Sequence, residues 1–250
     1  MKITVLGTGD AIGTPKIGCS CPRCSYALHH GIQRLRTSFL IEHAGRSILI
    51  DSSPDLRQQL LANGSPHVDA VIWTHGHYDH FMGFGEFYRV QTMPEVYAAP
   101  NVLGYCGAIF RFLSFKRNTA EPYCPFDLFG LGLILVPVNH PPVETYGLVV
   151  TDGKVKIAFT SDSNADIPVE SLSHFYGADL LFVDALVPPS VHMPKHMNYN
   201  DACTLAARLK VKDFRCVHMS HKIPWDLPQI GKDGETFCFY EMVSDETSGA

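Results

Sequence analysis

The sequence has no excess of basic residues and no long apolar run. Lysine and arginine number 20 against 25 aspartates and glutamates, so the net charge is −5 at pH 7 and the pI is about 6.2. A general nucleic-acid-binding protein needs a basic surface that neutralises many phosphates, so that class is disfavoured. No apolar run approaches the length of a membrane span, and no signal peptide precedes the apolar residues 3–6. We therefore expect a soluble cytoplasmic protein that does not bind membranes.

Charged residues are also sparse, at 18% of the chain, whereas apolar residues make up 46% of its 250 residues. This composition supports a large buried core and argues against intrinsic disorder. The sequence shows no repeat, no low-complexity segment and no linker, so we expect one domain over residues 1–250. Nothing in the sequence decides between a monomer and a homodimer.

Short β-branched and aromatic runs alternate with helical patterns along the chain. The pattern predicts strands over residues 2–6, 37–42, 47–51, 70–74, 95–99, 133–138, 146–151, 155–160, 180–186, 214–219 and 237–242. It predicts helices over residues 55–63, 81–91, 101–112, 168–175 and 200–209. The early strands form hairpins and the later ones alternate with helices. This order predicts an α/β protein with a mixed sheet, or two packed sheets, and helices outside.

Metal-ligand chemistry is densest in the segment His75-Gly76-His77-Tyr78-Asp79-His80, which follows the predicted buried strand 70–74. Neutral imidazole and carboxylate are ligands of zinc, iron and manganese. In an extended segment, side chains two residues apart point the same way, so His75 and His77 are expected to bind one ion together. Asp79 and His80 follow the turn and are expected to face a second ion. The alternative is an inert, histidine-rich surface turn.

Three further candidate ligands each follow a predicted strand: His140, Asp162 and His218. Taken singly, each has a structural explanation. The first can be a turn residue before two prolines, the second a cap, and the third a hydrogen-bonded core histidine. If their strands end at one sheet edge, the three side chains would instead complete two sets of ligands around a shared carboxylate.

This pattern resembles the metallo-β-lactamase superfamily over nearly the whole chain. The resemblance implies an αββα sandwich, in which two mixed sheets are flanked by helices and two metals lie at one edge. The implied ligands form two sets and a bridging carboxylate: His75, His77 and His140; Asp79, His80 and His218; and Asp162 as the bridge. Asp51 matches an early aspartate of the family that supports the histidine segment from behind.

Within the superfamily, the closest resemblance is to the PhnP-like cyclic phosphodiesterases. Four segments carry it: Gly7–Gly9, Gly18–Cys24, Lys195–Asn198 and His218–His221. The resemblance implies hydrolysis of small phosphodiesters, cyclic ribose phosphates among them. It also makes His196 the general acid that protonates the leaving group. The alternative for His196 is an ordinary residue of a surface loop.

A CxCxxC cluster occupies a loop near residues 18–30 and consists of Cys19, Cys21 and Cys24. Three thiolates suit a structural zinc, which takes four protein ligands. In the sequence alone, His29 or His30 is the nearest fourth ligand, whereas the resemblance points to His221. The alternative is three reduced thiols without a metal. No disulfides are expected, and the scattered cysteines are predicted to be small buried hydrophobic residues: Cys106, Cys124, Cys203, Cys216 and Cys238.

Two metals are expected in the active site, zinc or manganese with iron as a further option. They would lower the pKa of a bound water so that hydroxide forms near neutral pH. The resulting hydroxide would attack phosphorus in line, with His196 and Asp79 as catalytic side chains. Arg34, Arg36 and Lys195 are basic residues that could hold a phosphate, although surface charge is their commoner role. One alternative function is another hydrolase of the same fold, a nuclease or a thiolester hydrolase. The other is a non-catalytic, metal-dependent carrier in cofactor biosynthesis.

Overall fold

Two β-sheets form the centre of the computed structural model, which describes residues 1–239. The first sheet has seven strands among these residues, in the order β13 (Thr236–Cys238), β1 (Lys2–Gly7), β2 (Ser38–His43), β3 (Arg46–Ile50), β4 (Ala70–Trp73), β5 (Glu95–Ala98) and β6 (Arg117–Thr119). The strands from β13 to β3 pair antiparallel, and those from β3 to β6 pair parallel. Of the predicted strand 237–242, residues 240–242 lie outside the described residues.

The second sheet has six strands in the described part of the chain, in the order β12 (Asp213–Val217), β11 (Leu180–Asp184), β10 (Lys156–Phe159), β9 (Thr145–Thr151), β8 (Leu131–Val138) and β7 (Phe126–Leu128). The pairs β10–β11 and β11–β12 are parallel, and the other pairs are antiparallel. Both sheets are therefore mixed, as the sequence predicts.

Helices cover the outer faces of the two sheets. The described residues contain α1 (Pro22–His30), α2 (Leu56–Ala62), α3 (Tyr78–Phe81), α4 (Pro100–Ile109), α5 (Val169–Phe175) and α6 (Tyr199–Arg208). Helices α2 and α4 contact strands of the first sheet, and α5 and α6 contact strands of the second. The predicted αββα sandwich is confirmed. None of the helices in the described residues is long and apolar enough to cross a membrane.

Side-chain alternation explains why the second sheet is buried on both faces. In β11, Leu180 and Phe182 belong to the core between the sheets, whereas Leu181 and Val183 belong to the cluster beneath α5 and α6. The ring of Phe182 lies 4.7 Å, centroid to centroid, from that of Phe39 on the first sheet. Successive side chains of a strand point to opposite faces, so one apolar run serves both layers.

The predicted helix over residues 81–91 is wrong. The segment Tyr78–Phe81 is α-helical and is followed by a 3₁₀ helix, Met82–Phe87. The reason is the close approach of Gly83 to the loop after β3, where a Cβ at position 83 would lie 1.8 Å from the carbonyl oxygen of Ser53. Glycine also lowers the helical propensity of the segment.

Several other expectations also need correction. Helix α1 occupies most of the predicted loop near residues 18–30; it begins at Pro22 and ends before Gly31, which has φ of +63°. The short strands β6 and β7 were not predicted. All eight cysteines are free, but Cys124 and Cys238 are exposed and Cys203 is half-buried, so only two of the five scattered cysteines are buried as expected.

Candidate metal centre and active site

The seven predicted active-site ligands lie after strands that end at one edge of the sandwich. Four of them follow β4, and the others follow β8, β10 and β12. Their ligand atoms form two groups, within each of which all atoms lie within 4.8 Å of one another: His75, His77, His140 and Asp162; and Asp79, His80, Asp162 and His218. Asp162 belongs to both groups. The structure thus brings the whole predicted set together, while metal binding by these residues stays a prediction.

A change of backbone conformation divides the histidine segment between the two groups. His77 is extended, with φ of −78° and ψ of 141°, and α3 begins at the next residue. The extended part places His75 and His77 in the first group. The helical turn carries Asp79 and His80 into the second.

Ring nitrogens in the first group are spaced like ligands of one ion. His77 Nδ1 lies 3.2 Å from His75 Nε2 and 3.1 Å from His140 Nε2. Two ligands of a tetrahedral ion with bonds of ~2.0 Å stand about 3.3 Å apart. His140 Nδ1 donates to the carbonyl oxygen of Lys195 at 3.0 Å, which leaves its Nε2 without a proton and able to accept a metal.

Buried atoms without hydrogen bonds mark the second group. His80 Nε2 and both ring nitrogens of His218 are buried and have no hydrogen-bond partner among the described residues. His80 Nε2 lies 3.3 Å from an oxygen of Asp79 and 3.3 Å from one of Asp162, and His218 Nε2 lies 3.3 Å from Asp162. Buried polar atoms without partners are rare in folded proteins. A metal ion between Asp79 and Asp162 would satisfy the Nε2 atoms of His80 and His218, so the donor set fits one.

Asp51 lies behind the second group and orients His80. Its carboxylate accepts hydrogen bonds from His80 Nδ1 at 2.7 Å and from the amide and hydroxyl of Thr74, both at 2.8 Å. With Nδ1 held in this way, His80 directs Nε2 towards Asp79 and Asp162. Carboxylates that hold ligand histidines in place tune metal sites from outside the ligand shell.

The charges of the site suit a dication. Burial alone would lower the pKa of His80, but the carboxylates of Asp162, Asp79 and Asp51 raise it well above its usual value. Burial would raise the pKa of Asp162, but His218 and His80 hold it well below its usual value. Without metal, protons therefore balance the carboxylates of the second group. A metal ion would displace those protons on binding.

His196 lies at the rim of the two groups and is paired with a carboxylate. Its Nδ1 lies 2.6 Å from Asp184 Oδ2, and its ring packs on those of His140 and His218 with centroids 4.5 and 5.1 Å away. Asp184 ends β11 and also accepts hydrogen bonds from the amides of Ser163 and Leu186. The sequence reasoning missed Asp184. Its signal was the position of a carboxylate at the end of a buried strand, as in Asp51.

The three clustered cysteines surround one imidazole nitrogen. His221 Nδ1 lies 3.6 Å from the sulfur of Cys19 and 3.5 Å from the sulfurs of Cys21 and Cys24. A tetrahedral zinc with bonds of ~2.3 Å to sulfur and ~2.0 Å to nitrogen would set such pairs about 3.5 Å apart. The four residues fit a closed zinc site.

The nearer histidines take no part in this cluster. His30 Nδ1 lies 2.9 Å from the carbonyl oxygen of Tyr26, and both His29 and His30 are exposed. The amide of Cys24 and the imidazole of His221 lower the pKa of Cys21 to about 6, whereas burial raises the pKa of Cys24 to about 11. One thiol of the cluster is therefore readily ionised, and a zinc ion would favour ionisation of the others.

The arginines suggested for phosphate binding are used elsewhere. Arg34 is buried and donates to the carbonyl oxygens of Ser220, Ile223 and Pro224, so it fixes the segment after His218. Arg36 forms an ion pair with Asp55 at 2.8 Å. Lys195 is exposed, and its carbonyl oxygen supports His140.

Comparison with known proteins finds a matching family model and several similar proteins with different names. Residues 46–219 match the family model described as the beta-lactamase superfamily domain. The chain is 32% identical over 222 residues to coenzyme PQQ synthesis protein B of Methylorubrum extorquens, covering 75% of this chain and 73% of that protein. It is 31% identical over 238 residues to the octanoyltransferase of Porphyromonas gingivalis, covering 90% of this chain. It spans only about half of that relative, 47% of its length.

A solved structure is similar over nearly its full length. The crystal structure of a diphosphatase from the PhnP family superposes with a TM-score of 0.83 and 31% sequence identity. The match covers 96% of this chain and 98% of that one.

Proposed function

Since the chain belongs to the metallo-β-lactamase superfamily, we propose that it is a metal-dependent hydrolase of small phosphodiesters. The observation that carries the proposal is the pair of ligand groups that share Asp162, with the His196–Asp184 pair at their rim. Two adjacent ion sites beside a proton donor are suited to displacement at phosphorus.

Each of the two ligand groups would hold one of the two proposed metal ions. His75, His77 and His140 would hold one ion, and Asp79, His80 and His218 the other, with Asp162 shared. Divalent ions in such a site lower the pKa of water and withdraw charge from a phosphoryl oxygen. Zinc and manganese are the proposed ions, with iron as an option, because imidazole and carboxylate accept all three. The set of Cys19, Cys21, Cys24 and His221 would hold a separate structural zinc.

In this proposal His196 donates a proton to the leaving group. The bond from Nδ1 to Asp184 fixes the ring and its tautomer, which leaves Nε2 to face the substrate. Protonated His196 would give the Nε2 proton to the departing alkoxide, and Asp184 would stabilise the imidazolium before that transfer. The amides of Ser163 and Leu186 hold Asp184 in its place throughout.

Two further observations support a small substrate with phosphorus chemistry. The chain has no basic excess, and Arg34 and Arg36 are occupied within the fold, so a polynucleotide backbone would find few partners. The similarity to a PhnP-family diphosphatase supports attack at phosphorus. Hydrolysis of a diphosphate link is the nearest variant of the proposal.

Release of p-nitrophenol from bis(p-nitrophenyl) phosphate tests the proposal, with protein loaded with zinc, manganese or iron. We expect turnover with at least one metal. The variant His140→Ala loses one ligand and should lower kcat/KM by roughly 10³-fold, the size typical of losing a charge-stabilising group. The variant His67→Ala changes an exposed histidine and should leave kcat/KM as it is. A protein that binds metals but turns over no phosphodiester would contradict the proposal.

The competing function is a metal-dependent carrier or binding protein. The identity to coenzyme PQQ synthesis protein B favours it, since that name denotes a role in coenzyme synthesis. Metal binding without hydrolysis, together with tight binding of a small molecule, would support the carrier.

A further inference from the structure

A cavity of about 620 Å³ opens beside the candidate metal centre and shares His77 with it. It lies between α4 and the loop that follows β8. Its volume falls in the range that proteins use for small ligands. None of the residues given a role in proton transfer lines it, so the proposed chemistry leaves the cavity unused. A group bound there would be next to the phosphoryl group at the metals.

One wall of the cavity is an aromatic ring that packs on the histidine segment. Tyr105 is 58% exposed, yet its ring packs on the backbone of the histidine segment. A Cβ at position 76 would lie 2.7 Å from its Cδ1, so only glycine permits this contact. The ring also meets that of Phe81 edge to face, with centroids 6.0 Å apart. A ring that is supported on one side by Gly76 and Phe81 and keeps most of its surface open offers a face for stacking. Val102 and Val143 add apolar wall around it.

The polar rim of the cavity offers one donor and one acceptor. The hydroxyl of Tyr146 donates to Asn101 Oδ1 at 3.0 Å, and Asn101 Nδ2 donates to Glu144 Oε2 at 2.6 Å. Asn101 therefore has a fixed orientation, with one amide hydrogen left, and Glu144 has one oxygen left. Such a pair matches the adjacent donor and acceptor on the edge of a nucleobase.

The charge of the rim excludes a second phosphate. Among residues 1–239, no lysine or arginine lines the cavity, and the carboxylate of Glu144 would repel an anion. A flat, uncharged group that carries both hydrogen-bond donors and acceptors satisfies the stacking wall and the rim together.

We propose that this cavity binds the base of a nucleoside phosphodiester, stacked on Tyr105 with its polar edge against Asn101 and Glu144. The inference rests on the proposed function for the place of the phosphoryl group at the metal centre. It assigns the substrate class, a nucleoside ester, that the metal ligands by themselves leave open.

Calorimetric titration with AMP and with ribose 5-phosphate tests the base site, because the two ligands share a phosphate and a sugar and differ in the base. We expect manganese-loaded protein to bind AMP at least about 10-fold more tightly than ribose 5-phosphate. The variant Tyr105→Ala should remove this preference, since loss of base stacking weakens binding by roughly 5- to 100-fold. The variant Tyr105→Phe keeps the ring and should keep the preference.

A matched control is Tyr88→Ala, which removes a tyrosine of similar exposure, 52%, that does not line the cavity. It should keep the preference for AMP. Equal affinity of the unaltered protein for the two ligands, or a preference that survives Tyr105→Ala, would overturn the inference.

Hydrolysis separates this inference from the proposed function. The substrates are thymidine 5′-(p-nitrophenyl phosphate) and methyl p-nitrophenyl phosphate, which differ in the nucleoside. Equal kcat/KM values for the two esters would contradict the base site and support the proposed hydrolase. Binding of AMP that depends on Tyr105, with neither ester hydrolysed, would keep the base site and remove the hydrolase.

Discussion

The short segment 218–221 connects the two candidate metal sites. His218, at its start, belongs to the ligand groups around Asp162, and His221, at its end, belongs to the cysteine cluster. The ligand groups around Asp162 draw nitrogen and oxygen ligands from loops after four strands, and His196 lies at their open rim. The cysteine cluster draws three sulfurs from the first turn of α1 and the residues just before it, and a single histidine closes it. Open sets of nitrogen and oxygen serve chemistry, and closed sets rich in sulfur serve structure.

The short segment between the two regions is braced from within the fold. Arg34 donates to the carbonyl oxygens of Ser220, Ile223 and Pro224 and lies 4.1 Å from the ring of Trp225. The cysteine cluster and Arg34 thus hold the backbone that presents His218. If this comparison is right, damage to the closed cluster should act first on stability, and damage at the open rim should act on turnover.

The largest expected effect on stability comes from Cys21→Ala. Losing one thiolate should remove one zinc per chain and lower the free energy of unfolding by about 3 kcal/mol, if free zinc is at 100 times its Kd. Metal analysis and urea unfolding measure both quantities. The control Cys124→Ala changes an exposed thiol away from the cluster and should alter neither. Unchanged metal content in Cys21→Ala would show that the cluster holds no zinc.

The open rim is tested by His196→Ala. Loss of a general acid should lower turnover by roughly 10²-fold, and more for a poor leaving group than for p-nitrophenolate, which needs no proton. Metal content and stability should stay close to those of the unaltered protein. The control His192→Ala changes an exposed histidine of the same loop and should leave turnover unaltered. An equal loss with good and poor leaving groups would remove the acid role from His196.

Local pattern was enough to predict the fold class and the gathering of the ligands. The run Ala70–Trp73 is fully buried, and its end presents the histidine segment at the sheet edge as expected. His140, Asp162 and His218 each follow a strand, and strand ends are positions that an apolar pattern can locate. Chemistry that sits at a strand end is therefore readable from the sequence.

Contacts between distant parts of the chain could not be predicted from the sequence. Local spacing could not choose His221 over His29 or His30, because the choice depends on where the loop after β12 meets α1. Asp184 lies inside the predicted strand 180–186, and only its contact with His196, a residue outside that strand pattern, gives it a role. The helix expected over residues 81–91 failed for the same reason, since its limit is the approach of Gly83 to Ser53.

The smallest expected effect is at Asp233, whose carboxylate supports the backbone next to Arg34. Asp233 is not one of the candidate metal ligands, so a change there tests stability without changing a ligand. Its carboxylate accepts from the hydroxyl of Thr8 and the amide of Leu35, both at 2.7 Å, and burial raises its pKa to about 6. Because this value lies above that of the unfolded chain, the carboxyl stabilises the fold below pH ~4 and loses that effect as pH rises through about 6. Relative to the unaltered protein, Asp233→Asn should therefore gain about 1 to 2 kcal/mol in the free energy of unfolding between pH ~4 and pH ~7. Urea unfolding across this range measures the difference, with the exposed Asp127→Asn as control. A pH-independent difference would contradict the raised pKa of Asp233, and a loss of zinc in Asp233→Asn would show that this carboxyl also supports the cysteine cluster.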